Sequence, residues 1–107
     1  WVYQNRRQLK IYKNRIAVAG DSAGGNISTV VAQHTAGKSY APQAQLLIYP
    51  VVDFKSRHPS FYAYGDGLVL TSKDLDYVTQ YYATQHNIAL DNPCATWNNA
   101  PIGRLIP

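Results

Sequence analysis

The chemistry-bearing residues of this sequence cluster at Gly20-Asp21-Ser22-Ala23-Gly24-Gly25. A serine hydroxyl is a weak nucleophile until a base takes its proton and donors wait for the negative charge that forms on the attacked carbonyl. Gly20, Ser22 and Gly24 have the G-x-S-x-G spacing of a nucleophile elbow, a sharp strand-to-helix turn whose apex serine is strained and exposed. The missing Cβ atoms on either side let strand and helix close up around it. The N–H of Ala23 then falls in the first turn of the helix, unpaired within it and at the positive end of its dipole, which makes it the expected oxyanion donor. Two other Gly-rich loops fit less well. A phosphate-binding loop needs Lys and then Ser or Thr where Asn26 and Ile27 stand, and G-x-G-x-x-G fails because Ser22 takes the place of its second glycine.

An elbow needs a strand before it and a helix after it, and the flanks supply both. Ile16-Ala17-Val18-Ala19 is a short apolar run suited to a strand buried on both faces of a parallel sheet. Downstream, Ala23, Ile27, Val30, Val31 and His34 recur at helical spacing, and Gly37 is placed to end the helix. After a linker over 37–42, Ala44 to Tyr49 reads as a second strand. The succession strand, helix, strand predicts parallel pairing through a right-handed crossover. Ahead of the elbow, Trp1 to about Lys10 reads as the tail of a helix, with Val2, Leu9 and Tyr12 inward and Gln4, Arg6, Arg7 and Lys10 outward. Beyond Asp53 the chain turns aromatic, through Phe54, Phe61, Tyr62, Tyr64, Tyr77, Tyr81 and Tyr82. There Thr71 or Ser72 is placed to cap a helix over Lys73 to Gln85, with Leu75, Val78 and Tyr82 on one side and Asp76 exposed.

Ser22 needs a base at about 3 Å and a carboxylate behind it. His34 lies on the same helix, and twelve residues at about 1.5 Å each put it roughly 18 Å away, too far to serve. His58 and His86 fall in the aromatic segment. Asp53, just past the second strand, reads as a loop or cap anchor, although some enzymes built on such an elbow take their acid from that place. Asp21 is expected to fix the turn by hydrogen bonds and to point away from the nucleophile.

The run Arg15-Ile16-Ala17-Val18-Ala19-Gly20-Asp21-Ser22-Ala23-Gly24-Gly25-Asn26 resembles the signature of the hormone-sensitive-lipase-like esterases, the G-D-x-G group of α/β-hydrolases. Leu47-Ile48-Tyr49-Pro50 resembles the next strand of that family, and Leu105-Ile106-Pro107 its approach to the one after. Ile27 and Ser28 depart from the usual Leu and Ala, and Thr96-Trp97 from the frequent Ser-Pro, all outside the elbow core. The resemblance implies an α/β fold: part of a doubly wound parallel sheet over 1–52, part of a helical cap over 53–92 and a return loop over 93–107. It implies Ser22 as nucleophile toward short to medium acyl esters, with no metal and no organic cofactor. An Asp and a His past Pro107 would complete the triad, and a His-Gly-Gly-Gly oxyanion loop would precede Trp1. Cap residues shape substrate choice in such enzymes, so Tyr64, Leu68 and Leu70 become candidate pocket contacts, against ordinary packing of aromatics at the sheet edge. Two other functions share the elbow: a ligand-binding relative that has lost its base, and an amide- or peptide-cleaving serine hydrolase.

Composition narrows the field further. The 107 residues contain no Met and no Glu and carry a formal charge of +4. With two strand candidates, too few for an independently stable sheet, the sequence predicts a central fragment, inactive alone because its base, its acid and most of its oxyanion hole would lie outside it. Five of the ten basic residues fall between Arg6 and Arg15, which reads as a solvated face rather than a nucleic-acid site because no nucleic-acid motif accompanies it. The single Cys94 excludes an internal disulfide and favours a cytoplasmic setting, with a leader ahead of Trp1 left open. No apolar run approaches the roughly 20 residues that cross a bilayer. The expected partner is a small-molecule ester; oligomeric state is not legible.

Overall fold

The computed structural model describes residues 1–87, 89, 90 and 92, with Ala83 and His86 by backbone only. The expectations for 93–107, including Cys94 and the approach at Leu105-Ile106-Pro107, lie outside the described residues. The chain divides into two compact units, the second beginning at Val52.

In the first unit, strand β1 (Ala17–Asp21) runs directly into helix α1 (Ser22–Thr35), and strand β2 (Ala44–Ile48) follows. The strands pair in parallel from Ala17↔Ala44 to Asp21↔Ile48, with α1 as the crossover. Gly37 takes φ +76° just past the end of α1, a left-handed conformation in which a Cβ would be strained. One face of the sheet lies under α1, where Val18, Gly20, Gln45 and Leu47 are half-buried. The alternate residues Ala17, Ala19, Asp21, Ala44, Leu46 and Ile48 are exposed. Burial on both faces, expected from the apolar run, is therefore not met. A parallel sheet needs a layer on each side, and the described residues supply only α1.

The helix corrects a second expectation. Its buried residues are Gly25, Asn26, Ser28, Thr29 and Ala32, whereas Ile27, Val31 and His34 are exposed. Small side chains let the helix axis approach the sheet closely, and Thr29 is satisfied locally. Thr29 Oγ1 donates to the Gly25 carbonyl at 3.0 Å, one turn back. The larger apolar stripe faces away from the strands.

Residues 2–10 form successive turns rather than a regular helix. The i−4 bonds Asn5 N–H to Trp1 O and Leu9 N–H to Asn5 O give way to Ile11 N–H on Arg6 O, with Lys10 at φ +55°. Val2, Leu9 and Tyr12 are exposed, contrary to the expected inward face. Arg6, expected outward, is half-buried because its guanidinium lies 4.6 Å over the Tyr3 ring and donates to the Tyr3 carbonyl.

The second unit contains α2 (Pro59–Ala63), which hydrophobic periodicity did not reveal, and α3 (Ser72–His86). Phe54 is buried and stacks on Tyr82 with ring centroids 5.2 Å apart. Arg57 pairs with Asp76 and lies 4.6 Å over Phe61, joining the loop before α2 to the first turns of α3. Thr71 caps α3: Asp74 N–H donates to Thr71 Oγ1, while the Thr71 N–H and hydroxyl both donate to Asp74 Oδ2. Val78, expected on the packed side, is half exposed, and Thr79 is buried instead.

Candidate active site

Ser22 is the first residue of α1 and takes φ +48°. This left-handed conformation costs a non-glycine residue about 1–2 kcal/mol, so neighbouring contacts must hold it. A Cβ on Gly20 would stand 2.2 Å from the Gly24 carbonyl carbon and 2.7 Å from the Gly25 nitrogen, so any side chain at Gly20 would push strand and helix apart. A Cβ on Gly25 would meet Pro50 Cβ at 2.7 Å. Gly24 differs: its nearest neighbour would be Asp21 Oδ1 at 4.0 Å, an ordinary contact. The tight approach thus rests on Gly20 and Gly25, and Gly24 contributes its backbone.

The segment leaving β2 closes the turn. Val51 N–H donates to the Ser22 carbonyl at 3.1 Å, and the Asn26 side-chain amide donates to the Val51 carbonyl at 2.9 Å. Asn26 is buried, and sequence reasoning gave it no role. The signal available was a polar side chain on the helical face that turns to the sheet. Asp21 sits at the N-cap position with an extended backbone, yet its side chain makes no capping hydrogen bond and is exposed. The expected hydrogen-bonded brace from Asp21 is therefore not made. Its carboxylate lies alongside the first turn without reaching an N–H. Ala23 lies in that same first turn, where helical N–H groups have no intrahelical partner.

Of the other candidates, His34 shares the first unit with the elbow, and Asp53, His58 and His86 belong to the second. His34 is at the far end of α1. Asp53 Oδ1 accepts from the N–H groups of Lys55 and Ser56 at 2.8 and 2.9 Å, so the carboxylate orders its own loop, with His58 Nε2 3.9 Å from Oδ2. His86 ends α3. Tyr64, Leu68 and Leu70 are exposed in the second unit, between α2 and α3. Among the described residues no cluster of three or more His, Cys, Asp or Glu could hold a metal ion, and no helix is long and apolar enough to cross a membrane.

The family model for the alpha/beta hydrolase fold matches residues 1–106. The chain belongs to the α/β-hydrolase fold family. Within it the chain falls in the hormone-sensitive-lipase-like branch that the elbow sequence resembles. The chain is 40% identical over 86 residues to an ethyl acetate hydrolase of Pseudomonas putida, covering 78% of this chain and 27% of that protein. A hyperthermophilic esterase from the archaeon Pyrobaculum calidifontis superposes with a TM-score of 0.78 at 31% identity, over 94% of this chain and 34% of the esterase. Carboxyl esterase 2 of the fungus Tuber melanosporum superposes with a TM-score of 0.81 at 22% identity, over 94% of this chain and 34% of that one, a likeness of fold alone. The chain spans about a quarter of the length of the curated relatives it matches.

Proposed function

We propose that the complete protein is a carboxylesterase that cleaves short to medium acyl esters through an acyl-enzyme on Ser22. The observation that carries this reading is the left-handed Ser22 at the junction of β1 and α1, the backbone that lifts a serine hydroxyl clear of the sheet edge. The relatives named as ester hydrolases support it. Ser22 Oγ attacks the carbonyl carbon while its proton passes to a histidine base, and the Ala23 N–H stabilises the oxyanion. Collapse of the tetrahedral intermediate expels the alcohol, which takes the proton back from the histidine. Water activated by the same base then hydrolyses the acyl-serine. His34 is excluded as that base by its place on the helix, and the base and its carboxylate are proposed to come from the remainder of the protein, as the family resemblance implies. Tyr64, Leu68 and Leu70 are the proposed acyl-pocket contacts, and the chemistry calls on no metal or organic cofactor.

The test is Ser22→Ala in the complete protein, assayed on p-nitrophenyl acetate and butyrate with matched anilides alongside. Loss of ester turnover and of fluorophosphonate labelling is the expected result. Undiminished ester hydrolysis by the variant would remove Ser22 from the mechanism. Faster cleavage of the anilide would move the reading to an amidase, and a wild type that binds esters without turning them over would move it to a receptor. The 107-residue chain by itself is expected to be inactive.

A further inference from the structure

The hydrogen bonds behind the elbow connect a buried side chain to the expected oxyanion donor. A peptide unit is planar and trans, so fixing the direction of its carbonyl also fixes its N–H, which points the opposite way. The unit that contains the Ser22 carbonyl ends in the N–H of Ala23. That carbonyl accepts the Val51 N–H at 3.1 Å, and Val51 is held on its other side by the Asn26 amide on its carbonyl at 2.9 Å. Asn26 lies one helical turn above Ser22 and is only 8% exposed, so its amide meets the Val51 carbonyl inside the fold rather than in water. Pro50 packing against Gly25 closes the same segment from below. No side chain of Asp21 competes, since it makes no capping bond.

We infer that Asn26 is a positioning residue for the reaction: through Val51 it fixes the Ser22–Ala23 peptide plane and so aims the Ala23 N–H at the developing oxyanion. The inference rests on the proposed acyl-enzyme mechanism. Removing an oxyanion donor outright lowers turnover by about 100- to 1000-fold, so misaiming one without removing it should cost about tenfold or more. Ground-state binding of the ester makes little use of that donor, so KM should stay within about twofold.

The experiment uses the complete protein with Asn26→Ala and Asn26→Asp, with kcat expressed per Ser22 site titrated by a fluorophosphonate, so that loss of folded protein does not count as loss of rate. The expected result is a tenfold or larger fall in kcat per site at near-constant KM, with a parallel fall in affinity for a boronic acid that mimics the tetrahedral adduct. Asn26→Asp adds a readout that a purely structural role would not move. Its ionised carboxylate cannot donate to the Val51 carbonyl, but its protonated form can, so its kcat relative to wild type should recover as pH falls. Unchanged kcat per site, or unchanged boronic acid affinity, would overturn the inference while leaving Ser22 as nucleophile. If neither variant presents titratable sites, positioning is inseparable from folding and the inference falls. If wild-type turnover survives Ser22→Ala, the esterase reading itself fails and takes the inference with it.

Discussion

Ser22 and Tyr49 occupy equivalent places, each one residue past the last pair of the parallel ladder, Asp21↔Ile48, and both turn left-handed, at φ +48° and +34°. Two adjacent strands therefore leave the sheet at the same edge through strained non-glycine residues. One leads into the helix and the other into Pro50-Val51, which returns to bond that helix. Strain of this kind persists only where surrounding contacts over-determine it, and here the contacts are mutual.

The strain at Ser22 is separable from its chemistry. Ser22→Gly and Ser22→Ala both remove the hydroxyl, but only glycine is at ease at φ +48°. Ser22→Gly is expected to be more stable than Ser22→Ala by about 1 kcal/mol, read as a difference in denaturant midpoint for the complete protein. Equal midpoints would show that the turn carries no such strain.

The three glycines of the elbow should respond differently to alanine. Gly24→Ala meets only an ordinary contact with Asp21 Oδ1 and lies in a helix, so it should be neutral or stabilising by up to about 1 kcal/mol. Gly25→Ala presses on Pro50 and should cost about 1–3 kcal/mol. Gly20→Ala collides with backbone that cannot rotate away and should prevent folding. Thermal melts and soluble yield of the three variants check the order, which G-x-S-x-G spacing alone would not supply.

What the sequence made legible follows from period and punctuation. The apolar runs gave both strands within a residue or two, and Gly37 marked the end of α1. Periodicity misled where close approach, rather than hydrophobicity, decides which face turns inward: Ile27 and Val31 outrank Ser28 and Thr29 on any apolar scale, yet the small residues meet the sheet. Helical patterning over 1–10 turns Arg6 outward, whereas stacking on Tyr3 offsets the cost of burying part of it. α2 is too short for its period to register. The role of Asn26 is not legible from local pattern because its partner, the Val51 carbonyl, lies 25 residues away.

Helix α3 should be sensitive to acid at its start. The hydrogen bonds from the Thr71 hydroxyl and N–H hold the Asp74 carboxyl below its ordinary value. A carboxylate with a depressed folded value stabilises the fold above its unfolded value and loses that contribution as pH falls through the folded one. The Asp74 carboxyl resonance should therefore titrate lower than that of a free aspartate. Thr71→Ala should return it toward the ordinary value and, as loss of an N-cap, cost about 1 kcal/mol. A resonance at the ordinary value in the wild type would contradict the cap.

Substrate choice tests the second unit. If Tyr64, Leu68 and Leu70 line the acyl pocket, alanine at each should shift the ratio of kcat/KM for hexanoate over acetate esters by about tenfold, the scale set by a methylene or two of apolar contact. Ratios unchanged across all three variants would remove these residues from the pocket.

Because the Ser22 carbonyl is held by Val51, far along the chain, a growing polypeptide makes the apex of the turn before it makes the stretch that closes it. Until the return of β2 docks Pro50-Val51 on the first turn of α1, that serine lacks the contacts that hold its peptide plane. The shape of the turn is thereby tied to the order of synthesis: β1 and α1 alone do not set its apex, which takes its form when both ends of the crossover have met.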